Sequence, residues 1–132
     1  MLDLTTSLRV AASFATGSGT HDGVLFVLGL PHPNGSISYY VEEQLLNVRL
    51  LSICPPEAVR PYYQEGYVAC TFPTRGPEAR GSNHDFARRL IAKFAVPSSI
   101  WSPEFPPIPN SALFPTVDAM LPVATAIRAS LA

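Results

Sequence analysis

The sequence predicts an α+β fold, with one antiparallel sheet of about five to six strands and two helices packed on one face. Three observations lead to this class. Apolar and polar residues alternate from Ser7 to Thr16, an apolar run follows at Val24–Leu30, and a capped helical pattern begins only after Ser82. In chain order the predicted elements are β-β-β-β-β-α-β-α, and the 132 residues are assigned to a single domain, 1–132.

The first three segments predict an antiparallel meander of strands. Alternation in Ser7–Thr16 puts every second side chain on one face, as in a half-buried strand. Thr16–Asp22 is rich in glycine and predicts a turn, and Val24–Leu30 is apolar on both faces, as in a covered strand. Asn34–Gly35 favours a tight reversal with positive φ, after which Ile37–Val41 continues as a strand.

The middle of the chain contains one ambiguous segment. Glu42–Ile53 fits both the two-residue period of a strand and the stripe of a helix, and a strand is favoured because its neighbours are strands. Glu57–Gly66 is predicted to be a loop with room for one helical turn. Tyr67–Phe72 is predicted to be a strand, and Pro73–Gly81 an exposed loop.

A helix is predicted over Asp85–Ala95, because Ser82 and Asp85 fit a capping box and Pro97 prevents continuation. A short strand, Ser98–Ser102, follows it. Three apolar residues of the helix are expected to lie buried on the sheet, with Trp101 on the neighbouring strand: Phe86, Leu90 and Phe94.

The last segments predict a linker and a helix. Pro103–Pro109 is dense in proline; a rigid connection is favoured over a proline-rich docking motif because no basic residue flanks it in register. The final helical pattern runs from Val117 to Leu131, and Pro122 either begins the helix or kinks it.

Composition limits the functional classes. Hydrophobic residues make up 47% of the chain and charged residues 14%, which excludes a disordered chain. A net charge of -1 gives no general attraction to nucleic acid, and the longest apolar run is far too short to cross a membrane. A mean hydropathy of +0.18 favours a covered partner surface, and hence a dimer. Without a secretion signal, we expect a cytoplasmic protein, with access to the nucleus left open.

The titratable residues give little indication of catalysis. His21–Asp22 and His84–Asp85 are sequence neighbours, and neighbouring side chains diverge in both helices and strands, so neither pair forms a dyad by itself. Cys54 and Cys70 are expected to be reduced thiols, at least one of them buried. We therefore predict no catalytic residue, no metal site and no cofactor.

A basic set is the main candidate for a binding site, because it holds five of the nine Lys and Arg residues of the chain within a short stretch. It is either a solvated helix face with its adjoining loop or a docking patch for an acidic protein surface. Nucleic acid is disfavoured because no aromatic stacking residues are interleaved. The set consists of Arg75, Arg80, Arg88, Arg89 and Lys93.

The C-terminal half resembles the small proteasome assembly chaperones, the group that contains assembly chaperones 3 and 4. The likeness rests on the motif Asp85–Leu90, the pair Ala92–Lys93, the short strand at Ser98–Ser102 and the helix that ends in Ile127–Arg128. This resemblance implies a non-enzymatic chaperone that pairs with a homologous, like-folded subunit, as a homodimer or heterodimer. The pair would hold a proteasome α-subunit during assembly of the α-ring.

Two other functions stay open. A longin- or roadblock-like dimeric scaffold in trafficking or signalling is one, although roadblock-type domains start with a helix and this chain is predicted to start with a strand. A small hydrolase is the other; it would need His21 or His84 to meet an acid or a thiol in a deep pocket.

Overall fold

The computed structural model describes residues 2–71 and 84–130. They form six strands and six helices in an α+β fold, which confirms the predicted class. The strands are β1 (Leu2–Thr5), β2 (Gly23–Leu28), β3 (Ile37–Tyr40), β4 (Leu45–Arg49), β5 (Gly66–Thr71) and β6 (Leu90–Val96). The helices are α1 (Leu8–Ala15), α2 (Leu50–Ile53), α3 (Val59–Gln64), α4 (His84–Arg88), α5 (Asn110–Leu113) and α6 (Met120–Ser130).

The strands are divided between two antiparallel sheets instead of forming the predicted single sheet. One has the order β1-β5-β4-β3, and the other is a ribbon of β2 and β6 alone. The predicted meander is therefore wrong, because β2 pairs with β6, far along the chain, and not with β3. As a consequence β1 lies at an edge of the first sheet, and each strand of the ribbon has one edge without a partner strand among the described residues.

The predicted strand at Ser7–Thr16 is helix α1. Ser7 caps it by accepting a hydrogen bond at its side-chain oxygen from the amide of Val10, at 3.4 Å. The hydroxyls of Ser13 and Thr16 donate to carbonyls four residues earlier, so both side chains fit the helical backbone. The alternation was misleading because a short, alanine-rich segment satisfies a strand pattern and a helix pattern at once.

The predicted helix at Asp85–Ala95 is also corrected. It contains the short helix α4 followed by strand β6, which pairs with β2 from Val96 to Leu90. Partnering β2 is a long-range requirement that the local helical spacing does not reveal. The predicted burial is wrong: Phe86 is half-buried, while Leu90 and Phe94 are exposed.

Other predictions are confirmed or corrected in detail. The ambiguous segment Glu42–Ile53 contains both a strand, β4, and a helical turn, α2, and helix α3 lies inside the predicted loop. The predicted strand Ser98–Ser102 contains a 3₁₀ turn at Ser98–Ile100, so Trp101 is not on a neighbouring strand. Helix α6 begins at Met120, so Pro122 is its third residue and not the initiating one; in this first turn it removes no hydrogen bond of the helix. Gly35 does not have positive φ.

The two cysteines are free, as predicted, but neither is fully buried. The buried apolar side chains are mostly small or medium in size, and larger ones such as Phe26 and Phe94 remain exposed. The buried apolar set is Val10, Ala12, Leu45, Ala58, Ala69, Val96 and Leu113. This small core leaves much apolar surface uncovered. Every helix in residues 2–71 and 84–130 is too short or too polar to cross a bilayer.

The predicted linker Pro103–Pro109 lies against α1. Arg9 Nε donates to the carbonyl of Pro106 at 2.9 Å, and the amide of Ile108 donates to Ser13 Oγ at 2.9 Å. These hydrogen bonds involve the polar side of α1. The proline-rich segment therefore holds the helix on this side, and the opposite side of α1 faces away from it.

Candidate protein-binding groove

The predicted basic set does not form one patch in the part of the chain that the structure describes. Arg75 and Arg80 lie outside the described residues. Arg88 and Lys93 are exposed, and Arg89 is half-buried. However, Arg88 closes α4 whereas Lys93 lies within β6, so the strand carries Lys93 away from the other two.

Arg89 has a structural partner. Its Nη2 donates to Glu43 Oε2 in an ion pair that ties the start of β6 to the turn before β4. A hollow of about 470 Å³ next to this pair is lined by two carboxylates and two guanidinium groups, those of Glu42, Glu43, Arg88 and Arg89. Since these charges balance, the hollow has no excess of positive charge to attract an acidic surface.

Lys93 belongs to a different surface. Its Nζ lies 5.4 Å from the centroid of the Phe26 ring, in a cation–π arrangement. Phe26 and Lys93 are directly opposite each other in the β2–β6 pairing and therefore share one face of the ribbon. Lys93 is thus a charged group at the edge of an apolar surface.

The histidine–aspartate pair at His21–Asp22 has a structural role. Asp22 Oδ1 accepts from the amide of Ser98 at 2.8 Å and from its hydroxyl at 3.0 Å, which joins the start of β2 to the turn after β6. These hydrogen bonds lower the pKa of the Asp22 carboxyl. His21 Nδ1 lies 3.0 Å from the carbonyl of Asp22 and not from its carboxylate. The side chains of His84 and Asp85 lie outside the described part.

A groove of about 1060 Å³ lies between the two sheets, and we call it the intersheet groove. Helix α1 contributes Ala11, Phe14 and Ala15 to its lining. All four residues of β1 line it, as do four of the six residues of β2, and further residues come from β5, β6, the short helices α2, α3 and α4, and the start of α6 with the region before it. The groove is mostly apolar, which is typical of surfaces that bind other molecules.

The groove wall is supported by an aromatic cluster. Phe14 and Phe114 meet edge to face, with ring centroids 5.3 Å apart, and the guanidinium carbon of Arg60 lies 5.6 Å from the Phe114 centroid. Gln64 Nε2 donates to the carbonyl of Leu113 at 2.6 Å, which fixes α3 against α5. Two elements distant in sequence are thereby held together along this wall.

One thiol, that of Cys54, lines the groove together with two carboxyl groups, those of Asp3 and Asp118. Partial burial raises the pKa of the Cys54 thiol, and the negative charge of Asp118 raises this pKa further. The thiol is therefore less ionised than an ordinary cysteine at neutral pH, which opposes a role as a nucleophile.

The sequence interpretation missed the groove residues Ala11, Phe14 and Phe26. A signal was present for α1, since Leu8, Ala11 and Ala15 recur at helical spacing after a capping serine. For Phe26 no local signal exists, because its surroundings depend on where the two sheets lie.

In the described residues, no group of three or more His, Cys, Asp or Glu side chains is placed to hold a metal ion. No family model, curated protein or solved structure matches this chain.

Proposed function

We propose that the protein is a non-enzymatic assembly factor that binds another polypeptide in the intersheet groove. One observation carries this proposal: the groove is a large apolar surface, and its wall includes a Phe26 side chain that is 59% exposed. Exposed apolar area of this size is costly in water unless a partner covers it.

The polar groups around the groove fit binding better than catalysis. The raised pKa of Cys54 makes it a poor nucleophile, and Arg60 is engaged over the Phe114 ring. The aspartate of the His21–Asp22 pair is occupied by Ser98. A small hydrolase thus gains no support from these groups, whereas a polypeptide needs mainly apolar contact and a polar rim.

The resemblance to the small proteasome assembly chaperones supplies the specific form of the proposal. In that form the chain pairs with a homologous subunit and holds a proteasome α-subunit, in the cytoplasm or the nucleus. Lys93, at the edge of the groove, would steer an acidic partner toward it, whereas the charge of Arg88 is balanced in the hollow that it shares with Glu42 and Glu43.

The test of the specific form uses sedimentation of the full chain, alone and mixed with individually purified, folded proteasome α-subunits. We expect self-association or a complex with one α-subunit, and weakening of either by Phe26→Ala. Lys93→Glu should slow association, and added salt should slow association of the wild-type protein as well. A monomer that binds no α-subunit at micromolar concentration would exclude this form.

A further inference from the structure

We infer that the intersheet groove binds its partner as an extended strand that inserts between β1 and β2 and joins the two sheets into one. This inference rests on the proposed function, because it states how a polypeptide is held at the same groove. Three independent features of the fold carry it: the strand edges at the groove, the position of α1 and the pattern of apolar side chains.

The groove reaches the free edges of β1 and β2 and is not confined to one face of either strand. Side chains of a strand alternate between two faces, so a groove against one face would touch only every second residue. Here Leu2, Asp3, Leu4 and Thr5 line it in succession, and so do Val24, Leu25 and Phe26. Each of these edges carries backbone N–H and C=O groups that have no strand partner among the described residues.

Helix α1 lies where the helix of a strand–helix–strand unit would cover an inserted strand. It connects β1 directly to β2 and contacts both of them. Strands joined by such a helix commonly belong to one sheet. In this chain they belong to two sheets, and the groove occupies the position between them.

The groove side of α1 is apolar and only partly covered, by the contact of Phe14 with Phe114. Ala11, Phe14 and Ala15 follow helical spacing along this side, and Leu8, one turn earlier on the same stripe, is 69% exposed. The opposite side of α1 is already bound to Pro103–Pro109 through Arg9 and Ser13. An inserted strand with an apolar residue at every second position would cover the free stripe.

The chemistry of the occupant follows from these features. It is a partner segment of about four to six extended residues, the length of β1 and β2, with alternating apolar side chains and no central proline. Because a strand between two others uses its N–H groups on both sides in turn, every central amide of the segment donates a hydrogen bond. A segment added to only one edge would use every second amide.

The test is a selection of displayed random peptides of about ten residues against the full-length protein, followed by synthesis of the best binder. We expect alternating apolar residues in the selected sequences. Methylation of each central amide nitrogen in turn should weaken binding at every position, by about tenfold or more. Phe26→Ala should weaken binding by about fivefold or more, and the matched control Phe94→Ala, on the opposite face of the ribbon, by less than about twofold.

Each alternative outcome overturns a defined part of the account. Sensitivity at every second amide would mean addition to a single edge, so the two sheets would not be joined. Sensitivity to Phe26→Ala without sensitivity to methylation would leave the groove as a binding site but exclude a strand. No selected peptide, or none affected by Phe26→Ala, would remove the groove from the proposed function too. The methylation series needs only the wild-type protein, so it holds even if Phe26→Ala fails to fold.

Discussion

Phe26 and Phe94 lie on opposite faces of the β2–β6 ribbon, although they are almost equally exposed, at 59% and 53%. Phe26 pairs directly with Lys93, and Phe94 is the next residue of β6, so its side chain points the other way. Only Phe26 lines the intersheet groove. The ribbon therefore provides two chemically equal phenylalanines, one at the candidate site and one away from it.

Gly23 marks the point where β2 passes close to the end of α1. A Cβ atom at this position would lie 2.1 Å from the carbonyl oxygen of Ala15. We expect Gly23→Ala to lower the free energy of unfolding by about 2–3 kcal/mol, because the backbone of α1 or β2 must shift. Gly35→Ala is the control, since its Cβ would meet nothing within 4 Å. Equal loss in both variants, measured by urea titration, would contradict this packing.

Trp101 forms a hydrogen bond with the residue that caps the C-terminal end of α1, and its fluorescence can be used to follow this contact. Its indole Nε1 donates to Thr16 Oγ1 at 3.1 Å, and Thr16 is fully buried. Thr16→Val should cost about 1–3 kcal/mol, because the indole N–H and the amide of Gly19 both lose their acceptor. The tryptophan fluorescence should change as well. Thr20→Val, at an exposed threonine of the same turn, should cost less than about 0.5 kcal/mol. Unchanged fluorescence and stability in Thr16→Val would show that this bond is not made in solution.

Because Arg89 is paired with Glu43, we expect substitution of either residue to change the free energy of unfolding and not the binding of a partner. The Arg89 side chain is only 16% exposed, but Glu43 is 40% exposed, so solvent screens the pair and a coupling of about 1 kcal/mol is expected. A double-mutant cycle with Arg89→Ala and Glu43→Ala measures it through unfolding. Lys93→Ala, which breaks no ion pair that the structure gives, serves as the control for loss of a positive charge on β6. A coupling of zero would leave Arg89 available to a partner.

The Cys54 thiol should alkylate slowly at pH 8, because partial burial and Asp118 hold its pKa above the ordinary value of 9.0. Its rate should still rise as the pH increases toward this pKa, since only the thiolate reacts. Asp118→Asn removes the negative charge, lowers the pKa and should speed the reaction, when measured in a Cys70→Ala background. A slower reaction in Asp118→Asn would contradict the proximity of the two groups.

The local sequence predicted those elements whose pattern fits only one type of secondary structure. The tyrosine-rich strand β3 falls within its predicted segment, β2 and β5 each begin one residue before theirs, and α6 begins close to Pro122. These segments combine a clear period with turn residues at their ends. The α+β class could be inferred for the same reason.

The remaining elements depend on long-range pairing. The segment from Phe86 to Phe94 has helical spacing and a capping pattern, yet most of it is the strand β6, because β2 has no other partner in the described fold. Ser7–Thr16 alternates like a strand and still folds as α1. The groove was not predictable, since it exists only where β1, α1 and β2 of two separate sheets come together.

Binding of an extended polypeptide in the intersheet groove should protect the backbone amides of the two strands beside it. Amide hydrogen exchange of the full chain, with and without a saturating selected peptide, measures this protection. We expect Leu2–Thr5 and Gly23–Leu28 to exchange about tenfold or more slowly when the peptide is bound. Ile37–Tyr40, at the far edge of the four-stranded sheet, should be unchanged. A bound peptide that leaves exchange in β1 and β2 unaltered, or slows β3 equally, would contradict binding of this kind.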